Sequence, residues 1–90
     1  MVLLISYDLN KYERPSAYAE VEAMLKKYAV SLRKPLYSQW FVETSDSVQT
    51  WHARMKDVTD DDDKWFILKV QSPNQGWFSG SIWDWLKERV

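Results

Sequence analysis

The chain opens on an unbroken apolar run, Val2 to Tyr7, closed by Asp8-Leu9-Asn10; it is too short for a helix and reads as a buried strand. Lys11 to Pro15 is polar, and Pro15 both disfavours helix in the residue before it and suits a first helical turn. From Ser16 the period changes. Tyr18, Val21, Leu25 and Tyr28 recur at i, i+3, i+7 and i+10, one stripe of an amphipathic helix, with Glu20, Glu22, Lys26 and Lys27 outside it. Ala29 to Lys34 alternates as a half-exposed strand, and Pro35 marks an edge, a bulge or a turn. Ser38 to Thr44 alternates again, Trp40 and Val42 against Phe41, and completes a hairpin.

Thr44-Ser45-Asp46 supplies the N-cap and acidic first-turn residues of a second helix. Its stripe, Val48, Trp51, Met55 and Val58, repeats the spacing of the first. Asp60 to Asp63 form a loop, and Lys64 to Gln71 is a strand with Phe66, Leu68 and Val70 on one face. Two matched strand-helix units predict an α+β domain: a ferredoxin-like βαββαβ sandwich on a four-stranded antiparallel sheet. This domain spans residues 1–71. Residues 72–90 form a C-terminal extension: a turn-rich linker, Ser72 to Gly76, then a short helix from Ser79 carrying Ile82, Trp83, Trp85 and Leu86. That helix is expected to pack on the domain or on a partner.

Ninety residues suffice for one core only. Six Trp, five Tyr and three Phe are more aromatic surface than so small a monomer hides, which places some of it at an interface. The absence of Cys excludes disulfides, thiolate metal sites and thiol nucleophiles, and in so small a domain favours a reducing, cytoplasmic setting. No apolar run reaches the roughly 18 residues of a membrane span, and the N-terminal apolar run lacks the basic flank of a signal peptide.

Net charge is −1 but unevenly spread: residues 10–38 balance at +3 and residues 39–63 at −5. This is not the basic excess of a strong nucleic-acid binder, so phosphate contacts would have to come from the first half. The single His52 has no Cys, Ser or second His at catalytic or ligand spacing and reads as structural or solvent-facing. The four-Asp run lacks the alternating ligands and glycine of an EF-hand loop and reads as a solvated, helix-ending turn. With Gly76 and Gly80 the only glycines, neither a dinucleotide fingerprint nor a phosphate-cradling loop can form. Asp8 leaves two roles open. It caps a turn with Asn10, or it is a functional carboxylate at the end of a central strand, where unpaired charge is costly. Alone it would hold Mg²⁺ only through waters, unless a symmetric partner brings a second copy.

The segments Leu4-Ile5-Ser6-Tyr7-Asp8-Leu9-Asn10 and Lys34-Pro35-Leu36-Tyr37-Ser38-Gln39-Trp40 resemble those of the SinR-like small proteins. These are related to the CRISPR-associated Cas-two-like nucleases and the VapD endoribonucleases. The tail, Gly76-Trp77-Phe78-Ser79 followed by Trp83-Asp84-Trp85-Leu86, is similar as well. The resemblance implies a ferredoxin-like homodimer in which Asp8 of each subunit faces its twin and holds a divalent metal, Mg²⁺. It implies Ser38 and Trp40 beside that site, Ser38 orienting metal-bound water or a phosphate oxygen. Arg14, Arg33 and Lys34 are the expected phosphate contacts. The implied activity is a metal-dependent endonuclease or endoribonuclease, or an idle relative of one. The competing expectation is a non-catalytic interaction or assembly module that binds protein through surplus Trp and an open sheet edge.

Overall fold

The computed structural model describes residues 1–10, 12 and 14–90. Lys11 and Glu13, both in the expected Lys11–Pro15 loop, lie outside the described residues. Seven elements follow in chain order: β1 (Val2–Asp8), α1 (Ala17–Tyr28), β2 (Ser31–Leu36), β3 (Gln39–Glu43), α2 (Val48–Val58), β4 (Lys64–Val70) and α3 (Gly80–Lys87). The four strands form one open antiparallel sheet in the order β2-β3-β1-β4. The fold is therefore α+β, with three helices on a four-stranded sheet.

The apolar run of β1 is continuous because both of its faces are covered near its start. Leu3, Ile5 and Tyr7 point into a core filled by Val21 and Leu25 of α1 and by Trp51 and Met55 of α2. The alternate residues Val2 and Leu4 point the other way, into a smaller cluster with Phe41 of β3 and Trp85 and Leu86 of α3. Both expected helical stripes are real, and Val21, Leu25, Trp51 and Met55 are buried. Tyr28 closes the first stripe at the surface, where the Arg54 guanidinium lies 4.2 Å from its ring centre.

Local chemistry moves several boundaries. The cap of α2 is Ser47, whose Oγ accepts from the Thr50 amide at 3.1 Å. Thr44, expected as part of that cap, is buried instead. Its Oγ1 accepts from the Trp51 indole N–H and from the Asp46 amide, both at 3.0 Å, and so satisfies the one polar atom of the largest fully buried side chain. The first hairpin strand starts and ends two residues later than the sequence suggests, so Pro35 lies inside β2. It is tolerated there because β2 is an edge strand and its pairing with β3 shifts register between Arg33 and Leu36.

The extension packs on its own sheet. Phe41 stacks on Trp85 with ring centres 6.3 Å apart and meets Phe78 edge-on at 5.7 Å. The Trp85 indole N–H donates to Ser31 Oγ at 3.1 Å, and Arg89 Nε donates to Glu43 at 2.8 Å. Helix α3 thus covers the end of the sheet where β1 begins. The face at the other end of β1 stays open.

Candidate functional site

The open part of the sheet is where Asp8 lies. Register places Asp8 opposite Lys64 of β4, Ser6 between Phe66 and Gln39, and Leu4 between Leu68 and Phe41. Alternation therefore puts Leu4, Ser6 and Asp8 on one face together with Phe66 and Leu68. Phe66 is 61% exposed, and Leu36 and Leu68 are exposed as well. The β4 stripe read from the sequence, Phe66, Leu68 and Val70, is thus its open side at Phe66 and Leu68, with Val70 packed on the smaller cluster. Trp65 and Ile67, the alternate residues, pack on the main core.

Asp8 itself is exposed. The desolvation cost attached to a carboxylate in a central strand does not arise, because the strand is buried at its start and surfaces at its end. Three contacts fix that end. Tyr7 and Leu9 are buried on the helix side, the Leu9 amide donates to the Tyr18 hydroxyl at 3.2 Å, and the Asn10 amide donates to Asp63 Oδ1 at 2.7 Å. Burial pushes the Tyr7 phenol pKa up, only partly offset by the Trp40 indole N–H that donates to its oxygen at 2.9 Å. Tyr7 thus stays a neutral, packed anchor next to Asp8.

Ser38 was expected at the start of the second hairpin strand, and it lies in the turn instead, with φ at 59°. This left-handed conformation costs a non-glycine residue free energy. It closes the tight Tyr37-Ser38 connection between β2 and β3 and lets the Ser38 carbonyl accept the Tyr7 amide at 3.1 Å. The turn is thereby tied to the residue preceding Asp8, and the structure brings Asp8 and Ser38 to the same end of the sheet.

The three expected phosphate contacts separate. Arg14 is locked into the fold. Its Nη2 donates to Asp63 Oδ2 at 2.7 Å, and its Nη1 donates to the Val58 carbonyl at 2.8 Å and to Glu20 at 3.4 Å. Lys34 lies on the helix side of the sheet, 3.6 Å from Glu22 and over the rings of Tyr37 and Trp40. Arg33 pairs across from Phe41 and so shares the Asp8 face, with its guanidinium 5.5 Å from the Trp85 ring centre. Only Arg33 of the three is an exposed cation on that face.

The four-Asp run has a structural centre that the sequence reading missed. The Asp63 side chain is 0% exposed and accepts from the amides of Asn10 and Asp60 and from Arg14. Burial pushes the Asp63 pKa up, but the two backbone N–H donors and the Arg14 charge outweigh it and hold the carboxyl below its ordinary range. The signal was present: Asp63 is in phase with Trp65 and Ile67, the inward positions of β4. His52 is exposed and sits edge-on against Trp65 at 4.9 Å. Among the described residues, no three His, Asp or Glu side chains gather closely enough to hold a metal ion, and no helix is long and apolar enough to cross a membrane.

Fold and site together define a small α+β module with an open, largely apolar sheet face that ends in one carboxylate. The chain matches no protein-family model and no curated protein.

Proposed function

We propose that the chain is a homodimeric assembly module of the Cas-two/SinR-like kind, with a ferredoxin-like sheet whose open face packs on its twin. The observation that carries this reading is the coincidence of Asp8 with Leu36, Phe66 and Leu68 on one uncovered face. Exposed apolar patches of this kind mark association surfaces. A two-fold axis through the face makes it self-complementary. It also brings each Asp8 towards its twin and supplies the second carboxylate that a single chain lacks.

Nucleic-acid association and metal-dependent phosphodiester cleavage form the second layer of the proposal. Two Asp8 carboxylates are hard oxygen ligands suited to Mg²⁺, which supplies Lewis acidity and a polarised water when bound. In this reading Ser38 orients a phosphate oxygen from the adjoining turn, and Arg33 provides the phosphate contact on the same face. The test is a metal titration of cleavage with single- and double-stranded RNA and DNA, comparing wild type with Asp8→Asn. A verified, metal-dependent activity that survives Asp8→Asn refutes the catalytic layer.

A non-catalytic assembly module is the second reading, and two observations favour it. Lys64 is the cross-strand register partner of Asp8, which puts a cationic residue next to the carboxylate in the sheet, and Arg14 is committed to Asp63 and Glu20. This reading expects the same dimer, no Mg²⁺ affinity and no cleavage. Sedimentation equilibrium of wild type and Phe66→Glu tests what both readings share. The expected result is a dimer that the buried glutamate dissociates, and a wild-type monomer at high concentration contradicts both.

A further inference from the structure

Between the covered and open parts of the sheet runs a groove of about 380 Å³. It crosses the sheet from Leu36 on β2, over Phe41 and Leu4, to Leu68 on β4, and its far wall is the linker with Phe78 and Trp77. Among the described residues, Lys69 is the only charged side chain that lines it. Its floor of Leu4, Leu36, Phe41 and Leu68, bordered by the neutral amides of Gln39, Gln71, Asn74 and Gln75, suits a neutral, largely apolar side chain. Phe78 cannot serve, because it is stacked on Trp83 with ring centres 4.4 Å apart.

One side chain with that chemistry is unplaced. Trp77 is 96% exposed, the most exposed large apolar residue among those described. It stands on the rim of the groove, in the irregular stretch between β4 and α3. Helix α3 and its anchors hold both ends of the extension's packing, yet the indole of Trp77 is left in water.

We infer that Trp77 is a reciprocal anchor: in the dimer proposed above, each Trp77 inserts into the groove of the other copy. The inference rests on that dimer and adds the residue that fixes its geometry. Groove and anchor lie on the same patch, so a two-fold axis satisfies both insertions at once and the contact closes without propagating. Two tryptophans remove roughly 300–500 Å² from water, about a fifth to a third of a standard interface of about 1,600 Å², and the exposed Phe66, Leu68 and Leu36 add apolar area beside them. Trp is also the residue type most enriched among energetic centres of interfaces, where truncation weakens binding by about 30-fold or more.

The test uses the full-length chain and sedimentation equilibrium, with circular dichroism to verify folding. Trp77→Ala removes the anchor and lowers one wall of the groove, while its sheet floor of Leu4, Leu36, Phe41 and Leu68 stays. Leu36→Arg fills the groove, leaves the anchor and also places a charge at the edge of the open face; Leu36 is exposed on an edge strand, so the fold tolerates the change. Each variant alone has no working anchor-groove pair and is expected to dimerise at least about 30-fold more weakly than wild type. An equimolar mixture has one working pair per heterodimer and is expected to form heterodimers at concentrations where each variant alone is monomeric. If Trp77→Ala dimerises within about threefold of wild type while Phe66→Glu dissociates, the anchor is overturned and face packing stands. If the mixture stays monomeric, reciprocity is overturned. If Trp77→Ala dissociates and Phe66→Glu does not, the anchor stands and face packing fails.

Discussion

Replacing Asp63 with Asn removes the charge around which the end of β1, the start of β4 and the C-terminus of α2 are joined. The wild-type carboxylate accepts three short hydrogen bonds, from Asn10, Asp60 and Arg14. Asn offers one acceptor oxygen and turns an amide N–H towards a donor. The Arg14 guanidinium then loses its closest counter-charge, although Glu20 and partial exposure, 26% of its side chain, soften that loss. Breaking a buried ion pair costs about 3–5 kcal/mol, and the exposure of Arg14 lowers the expectation to about 2–4 kcal/mol. A domain of this size holds roughly 5–13 kcal/mol in all, so the urea midpoint should fall by about 1–3 M. The pH dependence has a definite sign. The folded pKa of Asp63 is depressed, so its contribution is fully present above the unfolded carboxylate value of about 3.9 and is lost as pH falls through the folded value. Urea melts at pH 7, 5 and 3 should therefore show the gap between wild type and Asp63→Asn narrowing towards pH 3. The other paired carboxylates are common to both proteins and cancel in the difference. A variant within about 0.5 kcal/mol of wild type at pH 7, a change typical of featureless surface sites, refutes this reasoning, and so does a gap that stays constant down to pH 3.

Three further outcomes are expected. Thr44→Val leaves the buried indole N–H of Trp51 without its acceptor and should cost about 1–3 kcal/mol in denaturant melts. A chain ending at residue 71 uncovers Val2 and Phe41, which α3 and Phe78 now bury; it should bind a hydrophobic dye and melt several degrees lower, whereas an unchanged melt would make 1–71 self-sufficient. Asp8→Asn, at an exposed position, should leave the urea midpoint within about 0.5 kcal/mol of wild type while abolishing Mg²⁺ binding measured by calorimetry, if the paired carboxylates hold the ion.

The two helices were legible in the sequence because each must bury one stripe, and a period of 3.6 survives whatever the stripe packs against. The sheet was harder to read. Phe66, Leu68 and Val70 alternate as convincingly as Trp65 and Ile67, and alternation alone does not say which face is covered. That depended on α3, which shields Val70 but stops short of Phe66. Asp8 was correctly marked at the end of the first strand, but its exposure follows from the same partial cover. Arg14 illustrates the deeper limit. Its positive charge reads as a phosphate contact until the fold sets it beside Asp63, 49 residues away, and no local pattern carries that pairing. The cap of α2 moved from Thr44 to Ser47 for a similar reason: both suit an N-cap, and the indole of Trp51 claims the one it can reach.

The central claim is that the open face packs on its twin and brings the two Asp8 positions together. Because the chain has no cysteine, Asp8→Cys carries a single spin label, and the label-to-label distance in solution can be read by double electron–electron resonance. Packed sheets lie about 10 Å apart, and allowing for the label tethers the expected result is one narrow distance of roughly 20–30 Å. Dilution with unlabelled protein should weaken that signal. A dimer whose labels lie beyond about 40 Å would contradict the claim, since face-packed sheets about 10 Å apart cannot separate two positions near the axis so far. No dipolar signal from a concentrated, folded sample would contradict it equally.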